Sequence, residues 1–135
     1  MIIYQDSLLV LDYDVSSDVL YVKWPNLTET DIPDLKAAIT ELLNAVKHYD
    51  IKRLLIDSSK SRVDIADETY RPLVFSLVGQ LKESRLRRMA RVVPENTFRE
   101  VHLQNYNKQM QAQNLITFET GEFQNKEQAM AWLKS

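Results

Sequence analysis

The feature that most restricts the fold is an alternation of short apolar runs with longer segments of helical periodicity. Short apolar runs suit buried strands, whereas apolar residues repeated every three or four positions suit amphipathic helices. Two strands open the chain, and strands and helices then alternate, which predicts the order ββαβαβαβα. The predicted strands are 2–13, 18–24, 52–57, 85–93 and 115–120, and the predicted helical segments are 28–50, 69–81, 97–113 and 125–135.

This order predicts an α/β fold with a largely parallel five-stranded sheet, because each helix returns the chain to the same edge. The two opening strands are joined by the turn-forming residues 14–18, so they should form an antiparallel hairpin at one edge of the sheet. Short connections and the absence of any linker-like tract predict one domain over residues 1–135. Ligands of such sheets gather beyond the carboxyl ends of the strands.

Composition excludes several classes of protein. The chain has no cysteine, so disulfide scaffolds, thiolate metal sites and cysteine nucleophiles are excluded. With 17 Lys and Arg against 19 Asp and Glu, no positive excess favours nucleic acid, and Arg85, Arg87 and Arg88 are expected to be solvated. No run reaches membrane-spanning length, and the start reads as a strand rather than a signal peptide. We therefore expect a soluble cytoplasmic protein without membrane insertion.

Common catalytic and cofactor motifs are also missing. The chain has two glycines, Gly79 and Gly121, too few for a phosphate-cradling loop, and Gly121 is expected in a turn. Its two histidines, His48 and His102, do not fall at metal-ligand spacing. We expect no metal, no cofactor and no enzymatic activity. The remaining enzymatic alternative would combine Asp57 and Ser59 with His48.

A polar cluster follows the third predicted strand. Asp57, Ser58 and Ser59 come directly after an apolar run, at the edge where ligands are expected. These side chains could bind an anion or the backbone of a partner. They could equally end the strand through local turn hydrogen bonds.

Arg91 is unusual because it interrupts the apolar run of the fourth predicted strand. A charge at a covered position needs a partner, and Asp57 or Glu119 could supply one. If Arg91 instead faces a cavity, its guanidinium could bind a carboxylate or a phosphate.

The order of elements, the strand "RLLID" and the closing helix "EQAMAWL" resemble the STAS and SpoIIAA-like superfamily, the anti-sigma-factor-antagonist fold. The resemblance covers nearly the whole chain. It implies a non-enzymatic regulatory domain that binds a partner protein or, in some members, a small or lipid-like ligand. The family's "DSSG" segment, with a phosphorylated serine, starts the second helix. Here "IDSS" ends a strand, and Ala66 and Asp67 stand where the serines are expected, so the resemblance implies that the phospho-switch is missing.

We therefore predict a binding or regulatory module that has an unknown protein partner. Such a domain could also form a homodimer. The predicted binding surface joins the end of the third strand to the start of the second helix, where Thr69 is the expected helix cap. The alternative is a small-ligand carrier or sensor with a pocket under the second helix, where Arg91 holds an acidic headgroup. The candidate binding residues are Asp57, Ser58, Ser59, Asp67, Thr69 and Arg91.

Overall fold

The computed structural model of the chain describes residues 1–94, 108–113 and 117–135. Most of the predicted third helix and the start of the last predicted strand lie outside these residues. The strands are β1 (Ile2–Gln5), β2 (Val10–Asp14), β3 (Val19–Lys23), β4 (Leu27–Thr28), β5 (Arg53–Asp57), β6 (Val63–Asp64), β7 (Arg88–Val92) and β8 (Glu119–Phe123). The helices are α1 (Ile32–His48), α2 (Asp67–Leu81) and α3 (Lys126–Lys134), and residues 108–112 are also helical.

Six of the described strands form one large sheet, in the order β1-β2-β3-β5-β7-β8. The first three strands are antiparallel neighbours, whereas β3, β5, β7 and β8 are parallel. This confirms the predicted α/β class, with its mostly parallel sheet and antiparallel edge. Two short strands, β4 and β6, pair separately in parallel.

The large sheet has six strands rather than the predicted five, because the first predicted strand is two strands joined by a tight turn. The Asp6 carboxylate accepts hydrogen bonds from the backbone N–H groups of Leu8 and Leu9, at 2.8 and 2.7 Å. The Asp6 N–H in turn donates to the Leu9 carbonyl at 2.9 Å. A short polar side chain that satisfies nearby backbone donors reverses the chain within an otherwise apolar stretch.

Helices cover both faces of the sheet. Leu20, Val22 and Trp24 face the larger core, to which α1 and α2 contribute. Val19 and Tyr21 face a smaller core that contains residues of α3. Successive side chains of a strand point to opposite faces, which explains this division.

Two of the three described helix starts agree with the sequence. Thr30 and Asp31 are both of residue types that favour the start of a helix, and Asp31 precedes α1. Asn125 is of the same kind, and its side chain accepts from the Gln128 N–H at 2.9 Å at the start of α3. The predicted cap of α2, Thr69, is wrong. Ala66 is the N-cap, because the N–H groups of Thr69 and Tyr70 already donate to its carbonyl at 3.0 and 2.9 Å.

The last strand lies further along the chain than predicted. Gly121, expected in a turn, is inside β8 and pairs with Ala90 of β7. A Cβ atom at Gly121 would lie only 2.9 Å from the Phe123 ring, which therefore requires glycine at this point. The missing side chain is what allows the Phe123 ring to pack across the strand.

Candidate functional site

A cavity of about 670 Å³ lies between the larger-core face of the sheet and α2. Its position is that of the predicted pocket under the second helix, beside the carboxyl ends of the parallel strands. The volume is typical of sites for small organic ligands. Its apolar wall includes Trp24, Ile56, Tyr70, Leu77, Val78 and Met89.

Two aromatic residues of this wall, Trp24 and Tyr70, are hydrogen-bonded to each other. Trp24 follows β3, and Tyr70 lies in the first turn of α2. The Trp24 Nε1–H donates to the Tyr70 Oη at 3.1 Å, and the two residues are only 8% and 4% exposed. Because this bond satisfies the indole donor, Trp24 offers the cavity an apolar surface. The two residues are 46 positions apart, so no local pattern in the sequence indicates this pair.

Arg91 lies in the floor of the cavity, as the ligand-binding alternative requires. Its side chain is 16% exposed, and its Nη1 lies 3.6 Å from the Glu122 Oε1. Neither predicted partner is used. Arg91 pairs in register with Ile56 and Glu122, so its side chain shares a face with both. Glu119 instead lies 3.7 Å from the Nε of Arg88, on the opposite face.

Asp57 is directed away from the cavity and does not bind Arg91. Its carboxylate accepts a hydrogen bond from the Tyr21 hydroxyl at 2.7 Å, on the smaller-core face. The backbone N–H and the hydroxyl of Ser59 donate to the same carboxylate at 3.0 and 2.6 Å. Burial alone would raise the pKa of Asp57, but the hydrogen bonds from Ser59 and Tyr21 outweigh it and lower this pKa below 3.8.

Ser58 is the member of the polar cluster that is turned toward the cavity. It follows Asp57, is only 8% exposed and contributes to the cavity wall. Its N–H continues the sheet by donating to the Val92 carbonyl at 2.9 Å. Its hydroxyl makes no hydrogen bond to another described residue, and its Oγ atom keeps some accessible surface on the cavity side. The hydroxyl is therefore available to a molecule in the cavity.

The loop after Ser59 forms the rim and carries exposed charges. Lys60 and Arg62 are exposed and contribute to the cavity wall together with Asp64. The loop is tied to the residues after β3, because the Leu27 N–H donates to the Arg62 carbonyl at 2.9 Å. The Arg62 N–H donates to the Asn26 Oδ1 at 2.8 Å. These bonds and the β4–β6 pair hold the rim in place.

Asp67 and Thr69 lie in the first turn of α2 but are not part of the cavity wall. The Asp67 Oδ2 accepts from the Arg71 Nη2 at 3.0 Å, a pair one helical turn apart. Thr69 is exposed on the same turn. The six candidate residues are therefore split: Ser58, Ser59 and Arg91 meet at the cavity, while the other three do not.

The structure does not bring His48 close to Asp57 and Ser59, as the enzymatic alternative requires. His48 ends α1 at the amino edge of the sheet, whereas Asp57 ends β5 at the carboxyl edge. The length of β5, about 13 Å, separates these edges. His48 therefore cannot complete a triad with Asp57 and Ser59. Within residues 1–94, 108–113 and 117–135, no group of three or more His, Asp or Glu side chains is arranged to hold a metal ion.

Two of the arginines that precede and enter β7 are engaged within the molecule. Arg85 pairs with Asp50 at 3.2 Å. The Arg88 Nη1 donates to the Trp132 carbonyl at 2.7 Å, and its guanidinium stacks on the Trp132 ring at 5.0 Å. No helix in the described part of the chain has the length and apolar composition needed to cross a membrane.

Comparison with solved structures identifies a protein of similar fold. No protein-family model matches the chain, and no curated protein is similar to it in sequence. Among solved structures, the chain is similar to an uncharacterised protein of the DUF3478 family, with a SpoIIAA-like fold, from Shewanella loihica PV-4. The TM-score is 0.52 at 19% identity, over 96% of this chain and 98% of the other. The resemblance seen in the sequence is thus confirmed at the level of architecture: the chain has a SpoIIAA-like fold.

Proposed function

We propose that this chain is a cytoplasmic, non-enzymatic binding domain of the regulatory type that holds a small organic ligand in the cavity beneath α2. The observation that carries this proposal is the cavity itself, an apolar space of about 670 Å³ with polar groups at its floor and rim. Ligand sites in proteins combine such an apolar lining with a few placed polar groups that orient the ligand.

Three features support this function over a purely structural cavity. Ser58 contributes to the cavity wall, and its hydroxyl makes no hydrogen bond to another described residue, so it can bond to a molecule in the cavity. Arg91 and Glu122 form an ion pair in the wall, where apolar side chains would be less costly. The rim residues are held by hydrogen bonds to the loop after β3, so the site is formed before a ligand arrives.

The experiment compares two tryptophan variants of α2. Val74 contributes to the cavity wall, whereas Ser76, on the same helix, is exposed. Val74→Trp should fill the cavity and abolish binding of the uncharged fluorescent probe N-phenylnaphthylamine, while Ser76→Trp should bind it as the unchanged protein does. Equal binding by both variants would contradict the proposal. Near-ultraviolet circular dichroism of each variant checks that the core is intact.

A second candidate function is binding of a protein partner at the rim, including a second copy of this chain. It is favoured by the exposure of Lys60, Arg62, Glu68 and Thr69, which border the cavity and the first turn of α2. A partner there would contact the loop that a ligand also contacts, so ligand occupancy could control the partner. The predicted role of Asp57 in this surface becomes indirect, through Ser59.

Site-specific photo-crosslinking in the producing cells tests this second function. A photoreactive residue at position 69 should capture one defined protein, whereas the same residue at exposed Asn44, on α1, should not. The captured protein should then bind the purified chain, and Lys60→Glu with Arg62→Glu should weaken that binding. Unchanged affinity of the charge-reversed chain would reject the rim as the docking surface.

A further inference from the structure

We infer that the ligand of the cavity is an amphipathic organic anion, whose oxyanion lies against Ser58 and Arg91 and whose apolar body lies against Trp24 and α2. This inference rests on the proposed function and adds the chemical class of the ligand. Its first basis is the placement of the two polar residues. Ile56 lies directly opposite Arg91, and Ser58 comes two residues after Ile56, just beyond the end of β5; Ser58 and Arg91 both contribute to the cavity wall.

The chemistry of this pair suits an oxyanion. Arginine presents several N–H donors in one plane, which match the oxygens of a carboxylate, sulfonate or phosphate. A serine hydroxyl in the same cavity wall can donate to a further oxygen of the ligand. Ser58 is only 8% exposed and its hydroxyl makes no hydrogen bond to another described residue, so this hydroxyl can donate to an anion in the cavity without breaking a bond within the chain.

The charge of the wall favours an anion over a cation. The described residues around the cavity include three cationic side chains, Lys60, Arg62 and Arg91, and two anionic ones, Asp64 and Glu122. This local balance is positive although the whole chain carries a formal charge of −2. A cation entering by the rim would pass Lys60 and Arg62 before reaching Arg91. An anion would be attracted along the same path.

Glu122 provides an independent check. Its Oε1 lies 3.6 Å from the Arg91 Nη1, on the β8 side of the floor, and its side chain is 30% exposed. A ligand anion beside Arg91 would be repelled by this carboxylate. Glu122→Gln should therefore strengthen binding of an anion and weaken binding of a cation. Glu122→Gln preserves the size of the side chain, and its expected effect on affinity is an increase for an anionic ligand and a decrease for a cationic ligand.

The test uses two fluorescent probes that share one aromatic body: anilinonaphthalene sulfonate, which is anionic, and N-phenylnaphthylamine, which is neutral. The unchanged protein should bind the sulfonate about tenfold more tightly, the effect of one charge-assisted hydrogen bond. Arg91→Gln and Ser58→Ala should each remove most of this preference without changing the affinity for the neutral probe. Arg87→Gln is the matched control, because Arg87 is exposed and is not part of the cavity wall.

Competitors then identify the kind of oxyanion. Naphthaleneacetate and naphthyl phosphate should displace the sulfonate, and whichever does so at lower concentration defines a carboxylate or a phosphate ligand. Uncharged naphthyl ethanol should compete poorly. If it competes as well as the two anions, or if Glu122→Gln weakens sulfonate binding, the anion inference is overturned.

The same measurements separate this inference from the proposed function. Equal affinity for both probes, abolished by Val74→Trp, would leave the cavity a ligand site but reject the anion. If Val74→Trp changes the binding of neither probe, both the anion inference and the proposed function are rejected. If Arg91→Gln does not fold, Ser58→Ala and Glu122→Gln still decide, because neither changes the size of a core side chain by more than one atom.

Discussion

Asp57 and Arg91 lie on neighbouring parallel strands but point to opposite faces of the sheet, because Arg91 is in register with Ile56 and Asp57 with Val92. The molecule therefore has two separate polar groups at one edge. One is the hydrogen-bonded pair of Tyr21 and Asp57 on the α3 side; Ser59, which contributes to the cavity wall, also donates to Asp57. The other faces the cavity, with Arg91 and Glu122. Substitutions in the first should change stability and leave the cavity intact.

Tyr21→Phe tests this separation. The variant loses the 2.7 Å hydrogen bond to the half-buried Asp57 carboxylate, and we expect the free energy of unfolding to fall by about 1–2 kcal/mol. Urea denaturation measures the change. Tyr49→Phe is the control, since Tyr49 is 47% exposed and should change stability by less than about 0.5 kcal/mol. A Tyr21→Phe protein that binds neutral probe more weakly would show that the two faces are coupled.

Acid should destabilise the protein through carboxylates whose pKa is lowered in the folded state. The pKa values of Asp57 and Asp14 lie below 3.8, the value for an unfolded chain, owing to bonds from Ser59 and Tyr21 and from Ser17 and Ser16 respectively. A lowered folded pKa gives stability that is present above pH 3.8 and is lost as the pH falls through the folded pKa.

The free energy of unfolding should accordingly decrease below about pH 4. Measured between pH 6 and the acid limit, it should fall less steeply for Asp57→Asn, which cannot titrate at that position. Parallel curves for the variant and the unchanged protein would show that the pKa of Asp57 is the same in both states. Asp64→Asn serves as a control on the exposed rim.

Asp6→Ala should disturb the turn that divides β1 from β2. The carboxylate accepts from the N–H groups of Leu8 and Leu9 and from the Tyr4 hydroxyl, at 2.8, 2.7 and 2.7 Å. We expect a loss of about 1–2 kcal/mol in the free energy of unfolding, the usual effect of removing such a local acceptor. Ser7→Ala, at the neighbouring exposed position, should be nearly neutral. Hydrogen exchange should show faster exchange of the Leu9 amide in Asp6→Ala alone.

The two glycines should respond oppositely to alanine. At Gly121 the new Cβ would lie 2.9 and 3.0 Å from atoms of the Phe123 ring, so Gly121→Ala should destabilise by about 1–3 kcal/mol. Gly79 lies inside α2 with no atom within 4 Å of an added Cβ, so Gly79→Ala should stabilise by about 0.5–1 kcal/mol. Thermal unfolding of both variants checks the signs, and the same sign for both would contradict the packing described here.

Local signals in the sequence were enough to predict the class of fold, the order of elements and the edge at which polar residues gather. The alternation in β3 predicts its two faces, and the Asn125 cap predicts the start of α3, because each depends on neighbours within a few residues. The predicted pocket beneath the second helix follows from the same order, since parallel strands end at one edge.

Features that depend on contacts between distant parts of the chain differ from the predictions made from the sequence. Six strands replace five because Asp6 can act either as a strand residue or as a turn residue, and only the packing of Leu9 in the core selects the turn. Thr69 is of a residue type that favours helix caps, but α2 begins earlier, at Asp67. The preceding loop is held by the hydrogen bond from the Leu27 N–H to the Arg62 carbonyl. The strand at Gly121 depends on the Phe123 ring, which no local pattern reveals.

The residues that carry charges or hydroxyls, and most of the elements on which they lie, can be predicted from the sequence. Which of these side chains meet depends on how the strands and helices pack against one another. A shift of one residue in strand register reverses the face of every side chain. The register of β3 against β5 places Asp57 on the same face as Tyr21, and the register of β5 against β7 places Arg91 on the opposite face, at the cavity. Register depends on the summed packing of both sheet faces, a quantity that no single stretch of sequence contains.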